Sequence, residues 1–368
     1  MRRELDSMDN SAALIAQVEA ALAARTPVRI RGGNSKAWLG RTVSAPDASH
    51  VHEVREIDTR GHRGIVHYDP TELVMTVRTG TPLADVEAVL NEAGQMLPFE
   101  APLFGGAATV GGMLAAGLSG ARRPWVGAVR DYVLGCRVIT GHARHLRFGG
   151  EVMKNVAGYD VSRLMAGSFG CLGLVTEVSF KVLPQPRATR HLALELAPQD
   201  ARQRLFGWRR DALPITGACY AQGVLQLRLE GGTGSVRTAR EAIGGADADA
   251  AFWTQLRDFT LPFFADERPL WRLSLPAGVP LEAPLAALPG DALLDWGGAQ
   301  RWLKTPAGAD DIRSLARELG GHATAFTQGV TDSPFQPLPD ALTQLHRRLK
   351  AQLDPQGIFN PGRLYADL

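Results

Sequence analysis

The chain has 368 residues, enough for two domains with sizeable cores, and its 45% hydrophobic and 21% charged residues are typical of an ordinary globular protein. A formal net charge of +2 argues against the concentrated basic surface that nucleic-acid binding needs. Three cysteines, Cys136, Cys171 and Cys219, have no Cys-x-x-Cys spacing, so the sequence indicates neither an iron–sulfur cluster nor a disulfide framework.

The amino terminus and the apolar segments give no sign of secretion or membrane insertion. Met1-Arg2-Arg3 is followed by Glu4 and Asp6 instead of an apolar run, which argues against a signal peptide. No window approaches the ~20 apolar residues that span a bilayer. We therefore expect a cytoplasmic protein, with any membrane contact made through a partner.

Residues 1–100 predict a small α+β lobe. One strand, at residues 27–31, runs directly into a glycine-rich loop at residues 32–36. The other predicted elements are a helix from Ser11, strands at residues 64–68 and 73–77, and a helix between Pro82 and Gly94.

Residues 101–184 predict a second lobe, and its last part, residues 151–184, is the stretch with the most informative pattern. That stretch, residues 151–184, contains a Gly-Tyr-Asp turn, a short helical run, three spaced glycines and a strand. The lobe also contains a segment of small residues at 109–120 and strands at residues 133–140 and 145–148. In the last strand one face is shared by Leu174, Thr176, Val178, Phe180 and Val182, which predicts a half-buried strand.

Residues 187–330 predict an α/β cap. The order β-α-β-β-α-β occurs there twice, and the first copy has a weak closing strand. Two ferredoxin-like units in series follow from this order. After them, residues 331–368 contain a helix at residues 339–353. Its apolar stripe consists of Leu342, Leu345 and Leu349. Its expected solvated side carries Arg347, Arg348 and Lys350.

The loop that follows the first strand is the first candidate site. Consecutive small residues after a strand expose several amide groups in one concavity, which suits a phosphate or pyrophosphate. Arg31 and Lys36 add positive charge, and Asn34 tolerates the left-handed backbone that such a loop uses. The alternative is an ordinary surface turn, since glycine-rich turns are common.

Two further segments are candidates. In residues 109–120, glycines and alanines leave one face nearly bare, which indicates either a flat wall for a planar ring or tight helix packing. In the third segment Lys154, Asn155, Tyr159 and Asp160 precede the glycines, and Tyr159 could equally be a half-buried aromatic residue with its hydroxyl satisfied. His50-x-His52 has no third ligand at hand, so no metal site is predicted.

In combination these segments resemble the vanillyl-alcohol oxidase/p-cresol methylhydroxylase family. The matching strings are Arg31-Gly-Gly-Asn-Ser35, Thr109-Val-Gly-Gly112, Gly158-Tyr-Asp160, Gly167-Ser-Phe-Gly-Cys-Leu-Gly173 and Asp354-Pro-Gln-Gly-Ile-Phe-Asn-Pro-Gly362. The resemblance implies an α+β fold: a two-lobed FAD-binding domain of the p-cresol methylhydroxylase type at residues 1–184, a cap at 187–330, and a C-terminal segment at 331–368 that returns to the FAD domain.

The resemblance also implies which residues bind FAD. They are Arg31, Gly32, Gly33, Asn34, Ser35, Lys36, Gly40, Thr109, Val110, Gly111, Gly112, Gly117, Ser119, Gly120, Asn155, Tyr159, Asp160, Gly170, Gly173, Leu174, Val175 and Asn360. Members that attach FAD covalently often carry a histidine in the first loop, where this chain has Asn34, so we expect non-covalent FAD.

Within this family the sequence is most similar to the FAD-binding E subunits of bacterial glycolate oxidases. The similar strings begin at Leu118, Leu146 and Asp295. This resemblance implies partners, namely a larger homologous flavoprotein subunit and an iron–sulfur subunit. It also implies oxidation of glycolate or D-lactate to the 2-oxo acid, with electrons passed to a membrane acceptor and the complex peripheral to the inner membrane.

One departure concerns the cap. Large hydroxy-acid dehydrogenases carry a histidine-rich turn that binds a divalent metal, whereas this chain has Trp296-Gly-Gly-Ala-Gln-Arg301 at the equivalent place. If substrate is oxidised in this subunit, the candidate substrate residues are Arg272, Trp296 and Arg301, with Arg272, Arg301 or another cap arginine holding the carboxylate. Three alternatives remain: electron transfer without substrate oxidation, an autonomous FAD oxidase of an alcohol or sugar, and an assembly module without chemistry.

Overall fold

The structure, a computed structural model, describes residues 8–43, 54–150 and 160–368. Up to residue 184 its elements are α1 Ser11–Ala24, β1 Val28–Arg31, β2 Arg55–Asp58, β3 Ile65–Asp69, β4 Val74–Arg78, α2 Leu83–Glu92, β5 Gln95–Met96, α3 Val110–Ala116, α4 Arg123–Val126, α5 Val129–Tyr132, β6 Val133–Ile139, β7 His145–Gly149, α6 Val161–Leu164, β8 Leu174–Lys181 and β9 Leu183–Pro184.

The remainder of the chain is richer in long strands. Its elements are β10 Ala188–Glu195, α7 Pro198–Arg210, β11 Ile215–Ala221, β12 Val224–Gly231, α8 Thr233–Ile243, β13 Ala246–Asp247, α9 Ala251–Arg257, β14 Leu270–Ser274, α10 Ala283–Ala287, β15 Asp291–Asp295, β16 Gln300–Lys304, α11 Ala309–Glu318, β17 His322–Ala325 and α12 Asp340–Leu353, with 3₁₀ turns at Pro262–Ala265 and Trp296–Gly298.

The chain divides into two units, each built from separate stretches of sequence. The first unit comprises residues 1–119, 127–184 and 337–368, and the second comprises residues 120–126 and 185–336. The domain boundaries expected from the sequence differ from these units at residues 120–126 and 331–336, which both group with the second unit.

In the first unit a five-stranded antiparallel sheet has the order β3-β4-β8-β6-β7. The prediction that β8 is half-buried is wrong, because Glu177 and Ser179 on its other face are buried as well as Val178 and Phe180. The central place of β8 explains this burial. It has a neighbour on each side, and Ser179 Oγ forms a hydrogen bond with Thr76 Oγ1 of β4 at 2.8 Å.

A second layer of the first unit is built around the parallel pair of β1 and β2. Leu14 and Val18 of α1 pack with Val28 and Ile57 of these strands, in a core that also contains Phe359. The sequence predicted a helix from Ser11, and the structure confirms it, with Leu14 and Val18 on its buried side. This layer fixes the point at which β1 ends and the glycine-rich loop begins.

The C-terminal helix α12 differs from its prediction. Leu342 and Leu345 are 44% and 59% exposed, so the leucine stripe is not the buried side of the helix. Lys350, which was expected in solvent, is buried. Its Nζ donates to Asp354 Oδ2 at 2.6 Å and to the carbonyls of Cys171 and Phe359 at 2.7 Å and 2.8 Å. An acidic residue one turn later makes this burial possible.

The second unit is one eight-stranded sheet of order β13-β10-β12-β11-β15-β16-β14-β17. In each half the fourth strand lies beside the first, the first beside the third, and the third beside the second. Both halves therefore have the ferredoxin-like arrangement that the sequence predicts, and their second strands, β11 and β15, join them. The weak closing strand of the first half is β13, which has two residues.

The two faces of this sheet differ in the second half. Trp271 and Leu273 of β14 pack with Ile312 and Ala316 of α11. Because successive side chains of a strand point to opposite faces, Arg272 lies on the face away from α11. That face also carries the side chains paired with Arg272 in the neighbouring strands, Trp302 and Thr324.

Candidate cofactor site

Two adjoining cavities of about 110 Å³ and about 90 Å³ open in the first unit. They share walls formed by the end of β1, the start of α3 and the turn before β8, and so form one trench. The residues expected at FAD that line the trench are Arg31, Gly32, Gly33, Asn34, Ser35, Lys36, Thr109, Gly111, Gly112, Gly170, Gly173, Val175 and Asn360.

The loop after β1 presents unpaired backbone donors to the trench. Asn34 adopts the left-handed backbone that was predicted, with φ of 59°, and its Oδ1 accepts a 2.8 Å hydrogen bond from Arg29 Nη2. Within the part of the chain that the structure describes, the amides of Gly33, Asn34, Ser35 and Lys36 donate to no backbone carbonyl. Consecutive free amides of this kind form a concavity that favours an anion.

Lys36 is the cation available to an anion in this loop. Lys36 is half-buried, and the loss of water around its amine lowers the pKa of that group to about 8. Its Nζ contacts Ser35 Oγ at 3.1 Å and lies 5.2 Å from the centre of the Phe104 ring. Arg31 is less available, because carboxylates of β2 already pair with it, Glu56 at 2.7 Å and Asp58 at 2.9 Å.

The glycines of the loop allow it to pack on a neighbouring segment. A Cβ on Gly33 would lie 1.6 Å from the Ala107 carbonyl oxygen, and one on Gly32 would lie 2.4 Å from Thr109 Oγ1. Neither distance is sterically possible without movement of the loop. The sequence suggested that the small residues of this loop expose several amides in one concavity, and the structure shows that its glycines also bring two walls of the trench together.

The first turn of α3 uses several of its hydrogen-bonding groups within the protein. Thr109 caps the helix by accepting from the Gly112 amide at 3.2 Å. The amides of Val110 and Gly111 already donate to the carbonyls of Thr81 and Thr79. The contribution of this segment to the trench is therefore its small side chains, Gly112, Ala115 and Ala116 among them.

The third wall is tied to the C-terminal segment. Asn360 Nδ2 donates to the Phe169 carbonyl at 2.6 Å, and Asn360 Oδ1 accepts from the Ile30 amide at 2.8 Å. Gly170 has φ of 71°, and a Cβ there would lie 2.7 Å from Asn360 Nδ2. Asn360 thus lines the trench and also holds β1 and the turn before β8 at a fixed separation.

Several residues expected at FAD lie off the trench walls. Val110 and Leu174 are fully buried in the first unit. Gly117 ends α3, and Ser119 Oγ accepts from the Val129 amide at 3.2 Å. Gly40 adopts φ of 88° beyond the loop.

Two more of the expected residues, Gly120 and Asp160, do not line the trench. Gly120 belongs to the second unit, where its carbonyl accepts from Trp296 Nε1 at 2.9 Å. Asp160 caps α6 by accepting from the Arg163 amide and is exposed. Asn155 and Tyr159 lie outside the described residues, as do Lys154 and the histidines of His50-x-His52.

Other residues of the trench were not predicted. Thr59 and Thr79 follow the ends of β2 and β4, and Thr79 Oγ1 donates to the Val175 carbonyl at 2.8 Å. Arg363 donates to the carbonyls of Lys36, Ala37 and Arg41 and so holds the loop. Its position one residue after the Asn-Pro-Gly turn was the signal that could have identified it.

The predicted role of Arg301 in holding a substrate carboxylate is wrong. Its side chain is fully buried, and its guanidinium donates to four backbone carbonyls, those of Val279, Pro280, Leu281 and Gly298. These bonds occupy the donors that a carboxylate would need. Arg301 therefore holds the segment before α10 against the turn that follows β15.

Of the other two cap candidates, Arg272 carries donors that a ligand could use, whereas the indole N–H of Trp296 already donates to the Gly120 carbonyl. Burial, together with the charge of Arg123, lowers the pKa of Arg272 to about 10, and its guanidinium lies 5.1 Å from the centre of the Phe326 ring. Within the described chain no carboxylate pairs with Arg272. Trp296 is buried, and Arg123 lies over its ring at 4.4 Å.

The described residues contain neither a metal-binding cluster nor a membrane-spanning helix. Across residues 8–43, 54–150 and 160–368, no three histidine, cysteine, aspartate or glutamate side chains are grouped to hold a metal ion. In the same residues no helix is both long and apolar enough to cross a bilayer.

The chain is similar in sequence to several known proteins. A family described as "FAD binding domain" matches residues 7–149. Glycolate oxidase subunit GlcE of Escherichia coli K12 is 55% identical over 364 residues, which cover 99% of this chain and 100% of that protein. Glycolate oxidase subunit GlcD of Bacillus subtilis 168 is 35% identical over 128 residues, which cover 35% of this chain and 27% of that protein.

A solved structure shares the fold at low sequence identity. p-Cresol methylhydroxylase with substrate bound is 14% identical and has a TM-score of 0.72, with 98% of this chain and 88% of that chain covered. The two-lobed flavoprotein fold with an α/β cap, predicted from the sequence, is confirmed by this similarity.

Proposed function

The chain belongs to the family of glycolate oxidase subunit GlcE, and from this we propose that it is the FAD-binding subunit of a multi-subunit enzyme that oxidises glycolate. It is an FAD-dependent oxidoreductase of the type that acts on a CH–OH group. The substrate class is a small 2-hydroxy acid, with D-lactate as the next member, and the product is the 2-oxo acid.

The observation that carries the cofactor role is the loop after β1. Four consecutive amides, from Gly33 to Lys36, have no backbone partner in the described chain, and the partly desolvated amine of Lys36 stands beside them. This set fits the pyrophosphate of FAD, which needs several amide donors and a compensating cation. The small side chains at Gly112 and Ala115 fit a flat ring against the wall of the trench.

We infer that FAD is held without a covalent bond. The loop offers Asn34 and Ser35, and neither carries the imidazole through which related proteins attach the flavin. When bound, FAD supplies a two-electron acceptor for the hydride on C2 of the substrate. The chain itself binds and orients the cofactor, and Asn360 fixes two walls of its pocket.

For the substrate we propose Arg272 as the carboxylate ligand. It is withdrawn from water on the face of the cap sheet away from α11, and no carboxylate of the described chain neutralises it. An unneutralised arginine in such a place gains much from a carboxylate that binds in bidentate geometry. Arg123 adds positive charge close by.

The proposed partners are a larger homologous flavoprotein subunit and an iron–sulfur subunit. The similarity to both GlcE and GlcD supports a multi-subunit assembly. Electrons would leave this subunit through those partners to a membrane acceptor. The assembly would be cytoplasmic or peripheral to the inner membrane.

The test is purification of the chain alone and together with the two partners. We expect one FAD per chain, with absorption near ~450 nm and release of the flavin by acid, and glycolate-dependent dye reduction only in the complex. Turnover of an alcohol or sugar by the isolated chain would establish an autonomous oxidase instead. A colourless chain that takes up no added FAD would establish an assembly module.

A further inference from the structure

One face of the cap sheet carries a row of polar side chains beside Arg272. Ser274 of β14 pairs with Gln300 of β16 on one side and with His322 of β17 on the other. Because side chains alternate between the two faces of a strand, this row lies on the same face as Arg272, which is two residues from Ser274. Arg272 and His322 are therefore diagonal neighbours, at a separation of about 7–8 Å that long side chains can bridge.

The imidazole of His322 is open to a ligand. Among the residues that the structure describes, it forms no hydrogen bond and no ion pair, and His322 is exposed. The segment after β17 contributes Gln336, but its Oε1 accepts from the Ala323 amide. Thr324, the next residue on this face of β17, is uncharged. His322 can therefore bind a ligand without giving up a contact within the protein.

The charges that act on His322 are positive. They belong to Arg272 of β14 and to Arg123 of α4. Loss of water, together with these two charges, lowers the pKa of the imidazole below its usual value, so His322 is mostly neutral at pH 7. The carboxylate in the same row, Asp295 of β15, lies three strands away, and both of its oxygens accept from groups nearby.

An anion beside these groups changes the charge balance for His322. A carboxylate held by Arg272 keeps lone pairs that can accept from a second donor on the same face. Its negative charge offsets the repulsion from the two arginines and favours the imidazolium, which donates from both ring nitrogens. Carboxylate binding and protonation of His322 therefore favour each other.

We propose that His322 is a second carboxylate ligand of the cap and takes up one proton from solvent when a 2-hydroxy acid binds beside Arg272. The imidazolium donates a hydrogen bond to the carboxylate. This inference rests on the substrate role proposed for Arg272, to which it adds a ligand and a pH dependence. Substrate affinity falls as the pH rises through the pKa that His322 has in the occupied site.

The experiment uses the FAD-loaded chain and oxamate, a small carboxylate whose neighbouring carbon has no hydrogen to transfer. NMR signals of the histidine rings are titrated with and without saturating oxamate, and His322→Gln identifies the signal of His322. We expect oxamate to raise the pKa of His322 by about one unit. The dissociation constant of oxamate should then rise about threefold between pH 6 and pH 8.

Two variants and a matched control separate charge from size. His322→Gln keeps a side-chain donor but cannot titrate, so it should bind oxamate at pH 6 about threefold more weakly than the wild type, with no pH dependence. His322→Lys should keep the wild-type pH 6 affinity up to pH 8. His142→Gln, in the turn between β6 and β7, should match the wild type. All three should keep wild-type FAD content and thermal unfolding, because both histidines are exposed.

The outcomes distinguish this inference from the function on which it rests. If oxamate binds and Arg272→Met abolishes binding, an unchanged titration of His322 would overturn the role of His322 and leave that of Arg272 standing. A wild-type pH dependence in His322→Gln would do the same. A FAD-loaded chain that binds neither oxamate nor glycolate would overturn the substrate role proposed for Arg272 and this inference with it.

Discussion

Lys350→Met should destabilise the first unit and loosen the FAD trench at the same time. Lys350 is 8% exposed, and it joins Asp354 to the carbonyls of Cys171 and Phe359. Methionine fills a similar volume but donates nothing. The substitution therefore leaves Asp354 as a buried carboxylate whose remaining donors, among the residues that the structure describes, are the amides of Ile358 and Phe359.

The magnitude follows from the burial of both partners. Removing one partner of a buried ion pair costs about 3–5 kcal/mol, because the charge that remains is no longer compensated. This is a large part of the ~5–15 kcal/mol that stabilises a typical domain. Neutralising the remaining charge in the double variant Lys350→Met with Asp354→Asn should recover part of the loss, so the two substitutions should not be additive.

The effect on FAD follows from the chain contacts. Lys350 holds Phe359 and Cys171, and the neighbouring residue Asn360 lines the trench. We therefore expect weaker FAD binding in Lys350→Met under conditions where the protein is still folded. The control is Arg348→Met, which removes an exposed cation two residues away.

Urea unfolding followed by fluorescence gives the stability, and FAD titration gives the affinity. Measurements at 10 °C or with added FAD keep the variant folded if it is marginal at 25 °C. A Lys350→Met protein within about 1 kcal/mol of Arg348→Met, with wild-type FAD affinity, would refute the reasoning, since a buried ion pair of this geometry predicts a larger loss.

Three further predictions concern the trench and the cap. Burial lowers the pKa of Lys36 to about 8, so the free protein loses that positive charge as the pH rises above 8. The dissociation constant of FAD should therefore increase above pH 8. Lys36→Met should bind FAD more weakly at every pH and should lack this pH dependence. Gly33→Ala should abolish FAD binding in a titration, because the new Cβ would lie 1.6 Å from a carbonyl oxygen. In the control Gly207→Ala, in the interior of α7, the new Cβ has no described atom within 4 Å. This control should raise the unfolding free energy by about 0.5–1 kcal/mol. Arg301→Met should lower the unfolding free energy by about 3 kcal/mol or more, because four backbone carbonyls lose their donor. Arg272→Met should leave the unfolding free energy nearly unchanged and raise KM for glycolate in the assembled enzyme. The opposite pattern would exchange the roles of the two arginines.

The fold was largely predictable because its signals are local. The alternation along β10 to β17 and the helices between them gave the repeated βαββαβ order. Asn34 and the glycines after β1 marked a loop whose backbone geometry the structure confirms. These features depend on neighbours in sequence, which is the range at which apolar periodicity and turn chemistry act.

The errors concern charged residues whose partners are distant in sequence. Arg31 looked free until β1 paired with β2, which brought Glu56 and Asp58 beside it. Arg301 and Lys350 looked like surface or ligand-binding cations, yet both donate hydrogen bonds to backbone carbonyls of other segments. A carbonyl oxygen is present at every residue, so the sequence alone carries no sign of which one a buried cation will find.

The threading of the chain has a consequence for how this protein can be divided and exchanged. Residues 120–126 belong to the second unit although residues 1–119 and 127–184 belong to the first. Within that short segment Arg122 pairs with Glu230, a nearly buried acid. A fragment of residues 185–336 would leave Glu230 without that partner. The second unit therefore cannot be exchanged as one continuous stretch of sequence. Chimaeras between relatives must take residues 120–126 and residues 185–336 from the same parent.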